Sequence, residues 1–260
     1  MLRRQLIGCA LAAAMPTLGN AQVVDLNDAI NKAGRQRMLS QRMAKAWFAI
    51  AHDVEANAAR SVLDRSMGLF DRQLVELKAF APGAEIRDVY DRLDAAWSEF
   101  KTVLVGSAPA RERAAAVLTA DARVLALAHQ GTVLYEAASG KSIGKLVNIS
   151  GRQRMLSQRM AKFYLAATWQ ADAGAATGEI SKARAEFIAA TETLRNAPQA
   201  TARIREELQL ADGQWVFFDN ALRKPPAAAS NRSLAEVFVA SENLLAVMDR
   251  ITGLYATATS

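Results

Sequence analysis

The twelve residues GRQRMLSQRMAK, Gly34 to Lys45, recur letter for letter at Gly151 to Lys162. The flanks have drifted: Ala46-Trp47-Phe48 follows the first copy and Phe163-Tyr164-Leu165 the second. A core-filling role alone tolerates exchange among Met, Leu and Ile, so perfect identity implies that these side chains matter individually. Working outward, "DRLDAAWSEFKTVL" (91–104) corresponds to "LQLADGQWVFFDNAL" (208–222), which matches Trp97 with Trp215. "VLTADARVLALAHQGTVLYE" (117–136) corresponds to "VFVASENLLAVMDRITGLYA" (237–256), which matches Tyr135 with Tyr255. A module of roughly 115 residues is duplicated in tandem, a period too long for a solenoid.

Turn signals divide each module. Pro82-Gly83 and the stretch 106–109 break the first copy, while 174–178, 196–198 and 225–231 break the second. A weak boundary near Asn57 completes the set. Abundant alanine, scarce glycine and proline, and no alternating β-branched run favour helix throughout. The expected fold is all-α: two tandem antiparallel four-helix bundles. Only Gly140 and Gly144 punctuate the junction, so a continuous helix is expected to join the bundles into an elongated rod. The expected organisation is a leader over 1–21, a first module over 22–138 and a second over 139–260.

The leader reading rests on Arg3-Arg4, the apolar stretch 6–15 and the small residues Gly19-Asn20-Ala21. Cleavage there removes Cys9, the only cysteine, and implies a soluble periplasmic protein without disulfides. The formal charge of +6 falls by two with Arg3 and Arg4, too mild a bias to point to nucleic acid. No serine elbow, phosphate loop or paired-carboxylate pattern is present, so no enzyme is expected. His52 and His129 stand alone, which argues against a metal or catalytic role, and no cofactor is expected. The methionines of the motif are read as core, as are Trp97 and Trp215.

On a helical wheel, Leu39, Met43, Trp47 and Ile50 form one stripe, the core of the module. Arg37 falls on a second face among Leu26, Ile30, Ala33, Ser40, Ala44 and Phe48. Arg154 sits likewise among Ile143, Val147, Ser150, Ser157, Ala161 and Leu165. An arginine between small and apolar residues implies a close helix contact with a cation inside it, and an unpaired buried cation costs several kcal/mol. The motif holds no Asp or Glu, so the counter-charge is either an acid from another helix or a bound anion. Gly34 and Gly151 precede these arginines by one turn, where glycine costs about 1 kcal/mol relative to alanine but admits close approach. The guanidinium fork suits small oxyanions. Ser40, Gln41, Ser157 and Gln158 complete the candidate ligand-binding set of Gly34, Arg37, Gly151 and Arg154. Arg35, Arg42, Arg152 and Arg159 are assigned to solvated faces.

The segment Asn31-x-Ala33-Gly34-Arg35-Gln36-Arg37-Met38-x-Ser40-x-Arg42 resembles the first helix of the PilJ/NarX-like periplasmic sensor domain, found in type IV pilus chemoreceptors and nitrate/nitrite sensor kinases. The resemblance implies a four-helix bundle. In its nitrate branch it implies an anion held between two first helices, through positions matching Gly34/Arg37 and Gly151/Arg154. The Arg35-Gln36 pair is closer to the chemoreceptor branch. The resemblance implies a small anion ligand (nitrate or nitrite first) and a membrane receptor or sensor-kinase partner, and the two identical motif faces suggest a homodimer through them. The rival reading is an adaptor whose repeated face docks on another protein's first helix without any anion.

Overall fold

A computed structural model describes residues 22–169 and 173–258. Among them are eight long helices and no strand: α1 (Leu26–Ala51), α2 (Ala56–Phe80), α3 (Ala84–Val105), α4 (Ala114–Ser139), α5 (Ser142–Ala167), α6 (Ala173–Arg195), α7 (Ala202–Leu222) and α8 (Asn231–Thr257). The starts follow local chemistry. The side chains of Asp25, Thr201 and Ser230 accept hydrogen bonds from the first-turn amides of α1, α7 and α8. The α1–α2 boundary falls at 52–55, ahead of Asn57, where Asp53 and Glu55 take positive φ (52° and 47°). No described helix is long and apolar enough to cross a membrane. The expected leader, 1–21, lies outside the described residues.

Each module is the expected four-helix bundle, α1–α4 and α5–α8, with matching internal ties. Tyr135 and Tyr255 each donate their hydroxyl at 2.7 Å to a carbonyl on the second helix, that of Leu77 or Leu194. Gln36 and Gln153 donate to the carbonyls of Phe70 and Phe187. Phe70 lies against Trp97, and Phe187 stacks on Trp215 at 4.4 Å. Trp97 is thus a buried core anchor, whereas its match Trp215 is half-buried and packs against the edge of the core.

The expected rod does not form. The helix stops at Gly140, whose φ of 59° places it in the left-handed region while its N–H caps Glu136. The chain reverses within two residues, and α5 runs back beside α1. The contacts advance together along both helices: Ile30 meets Gly144, Gly34 meets Gly151, and His52 meets Leu165 and Thr168. α1 and α5 are therefore parallel neighbours, and the modules lie side by side about a pseudo-two-fold axis. Burial of the two apolar-and-small motif faces drives this fold-back, since an end-to-end rod leaves both faces in water.

Candidate functional site

The glycines set the distance between the motif helices. A Cβ placed on Gly34 would lie 3.9 Å from the Cα of Gly151, 3.2 Å from Arg37 Nη2 and 3.6 Å from Arg154 Nη2. On Gly151, the same atom would meet Arg154 Nη2 at 3.2 Å and Arg37 Nη2 at 3.8 Å. Two guanidiniums thus share the space that two missing side chains leave, and both arginines are fully buried. Arg37 Nη2 donates to the carbonyl (3.3 Å) and Oδ1 (2.7 Å) of Asn148. Arg154 Nη2 donates to the carbonyl of Asn31 at 2.9 Å. Residues 31 and 148 are repeat equivalents, so each module's arginine grips the other module's first helix.

The Nη1 atoms break this symmetry. Arg154 Nη1 is 2.5 Å from Asp249 Oδ1, an ion pair, whereas Arg37 Nη1 meets His129 Nδ1 at 3.3 Å. Among the described residues, no carboxylate pairs directly with Arg37. Glu136, whose negative charge acts on Arg37, accepts a hydrogen bond from the Asn148 amide. Burial first, then the charges of Arg152 and Arg154, pulls the Arg37 pKa down to about 9. Burial lowers Arg154 to about 10, with Arg35 adding and Asp249 opposing. Both remain cations at neutral pH. Burial, Arg37 and Arg152 lower His129, which keeps its ring neutral and Nδ1 free to accept.

Arg37 and His129 line a cleft of about 420 Å³ where α1 and α4 meet α5 and α6. Its cations are Arg37, Arg152, Arg159 and Lys182, against two carboxylates, Glu179 and Glu186. Leu125, Met155 and Ala183 give it apolar walls.

Other expected site residues face elsewhere. Ser40 and Ser157 donate to the carbonyls of Arg37 and Arg154 on their own helices. Gln41 donates to Asp121 of α4 at 2.7 Å, and Gln158 to the Ser241 carbonyl of α8 at 2.9 Å. The motif lysines cross between modules. Lys45 of α1 reaches Ser241 and Glu242 of α8 (2.8 and 2.7 Å), and Lys162 of α5 reaches Asp121 of α4 at 2.6 Å. Each of these long polar side chains thus has a partner on another helix, a constraint that core filling alone does not impose.

The outlying arginines are not on solvated faces. Arg35 pairs with Asp249, Arg42 with Glu242, Arg152 with Glu186 and Arg159 with Glu179. The acids come from other helices, α6 and α8, so a wheel of one helix does not reveal them. His129 is likewise no isolated histidine. Only its match to Asp249 at the repeat offset hints at its place.

The family model "Type IV pili methyl-accepting chemotaxis transducer N-term", PilJ, matches the chain twice, over residues 20–130 and 135–244. The chain belongs to the PilJ family. Two tandem PilJ copies account for the duplicated bundles, and the family is one of sensory modules rather than catalysts. No curated protein and no solved structure matches the chain.

Proposed function

We propose that this PilJ protein is a periplasmic sensor that captures one small, singly charged oxyanion, nitrate or nitrite first, and passes its occupancy to a membrane transducer. Arg37 carries the reading. It is a fully buried guanidinium with no direct carboxylate partner among the described residues, and it lines a cleft in which cations outnumber carboxylates. Burying an unpaired charge is expensive, and a bound anion offsets that cost. Arg37 is the primary contact, Arg152 and His129 flank it, and Arg154 adds positive potential from behind Gly34 and Gly151. Gln41 and Gln158 hold α4 and α8 against the motif helices, while Ser40 and Ser157 bond within their own helices. A change in charge balance at Arg37 therefore reaches both modules.

The adaptor reading requires the motif face to meet another protein's first helix. Here α1 and α5 cover one another, so docking would first have to separate the modules. A homodimer through the same faces meets the same obstacle.

Thermal unfolding of the chain from Gln22, at constant ionic strength, tests the proposal. Nitrate or nitrite should raise Tm relative to chloride and perchlorate, and Arg37→Ala should abolish the rise. Equal curves in every salt would remove the anion.

A further inference from the structure

The duplicated chain permits a comparison of its two halves, equivalent atom by equivalent atom. Arg37 and Arg154 occupy the same motif position, their Nη2 atoms bind repeat-equivalent asparagine carbonyls, and both Nε atoms are buried without a hydrogen-bond partner among the described residues. They part at Nη1, where one meets His129 of α4 and the other Asp249 of α8, residues matched at the repeat offset of 120. The same offset matches Ala122 with Glu242. In the second half, then, the acids sit on the helix facing the arginine, where Asp249 bridges Arg154 and Arg35 while Glu242 engages Arg42. Around Arg37 the acids instead lie at the rim on α6 of the second module, where Glu186 and Glu179 hold Arg152 and Arg159. Arg37 is left facing its cleft.

We infer that the chain binds one oxyanion, at Arg37, and that Asp249 is a tethered carboxylate permanently filling the equivalent anion position on Arg154. The inference rests on the oxyanion reading above and adds its stoichiometry and the residue that sets it. Asp249 supplies what the ligand supplies, a negative oxygen at the guanidinium Nη1. Because it is covalently part of the chain, a free anion at millimolar concentration cannot displace it. Burial alone would raise the Asp249 pKa, but Arg154 and Arg35 hold it down to about 2, so the tether stays charged across the physiological range. The duplication thus leaves a pseudo-symmetric pair with one responsive half and one half locked in the occupied arrangement.

Isothermal titration with sodium nitrate and sodium nitrite on the mature chain, its Asp249→His variant and its His129→Asp variant tests this. The expected stoichiometries are one anion for the parent, two for Asp249→His, and none for His129→Asp, whose new carboxylate copies the closed half. His129→Asp pairs a buried cation and should unfold no earlier than the parent, which keeps the test decisive if Asp249→His folds poorly. Two anions in the parent, or undiminished binding in His129→Asp, would overturn the inference and leave the oxyanion function standing. No binding by parent or Asp249→His would overturn that function as well.

Discussion

Arg37 and Arg154 bear identical side chains at identical motif positions, yet their partners give them different electrostatic fates. His129 is the residue through which Arg37 differs, and its folded pKa lies below the ordinary value near 6.5 because burial and two arginines disfavour its protonation. As pH falls, the unfolded chain takes up this proton first. The contribution of His129 to stability is therefore present above about 6.5 and lost as pH falls through the folded pKa. Urea unfolding at pH 7.5 and 5.5 should show a larger drop for the parent than for His129→Gln. A second expectation concerns Gly131, where an added Cβ would sit 2.8 Å from Cε2 of the fully buried Tyr90. Gly131→Ala should cost about 1–3 kcal/mol by overpacking, read as a lower denaturation midpoint. The close helix contact at Arg37, Arg154 and their glycines was legible in the sequence because burial of an arginine among small residues has a local signature. The sequence did not reveal His129, Asp249 or Asn148, since a partner on another helix leaves no periodicity on the first.

Between elements, the cluster of Arg42, Lys45, Ser241 and Glu242 ties α1 to α8 of the other module. Burial would raise Glu242, but Lys45 and Arg42 hold its pKa down to about 2. Burial brings the fully enclosed Lys45 down to about 8 against the pull of Glu242, so it remains charged at pH 7. Glu242→Gln leaves that ammonium without its carboxylate and should cost about 3–5 kcal/mol at pH 7. With its pKa depressed, Glu242 contributes stability that is present above about 4.5 and lost as pH falls toward 2. The gap between Glu242→Gln and parent should accordingly narrow at pH 3, as measured by urea unfolding at both pH values. At the turn between modules, Gly140→Ala forces a Cβ into the left-handed region and should cost about 1–2 kcal/mol. The helices themselves were legible from composition, repeat and punctuation. The turn at Gly140 was not, because one glycine without proline reads equally well as a kink in a continuing helix.

At the scale of the whole molecule, the side-by-side packing makes the two modules one cooperative body. Each motif helix lies in its own bundle and also covers the other's, with Arg37, Arg154, Lys45 and Lys162 all crossing the boundary. Thermal unfolding followed by helical circular dichroism and by tryptophan fluorescence should give one coincident transition. Two separate transitions would mean the modules are independent. The duplication was plain in the sequence, but the relative placement of the copies depended on which faces find each other, a non-local outcome that no single segment encodes. The central claim is that one oxyanion sits on the Arg37 guanidinium. A crystal structure of the chain from Gln22 grown with nitrate, compared with one grown in chloride, tests it most directly. A planar anion within hydrogen-bond distance of Arg37, beside His129 and Arg152, is the expected result. An Arg37 environment identical in both salts, with the cleft holding only water, would contradict it.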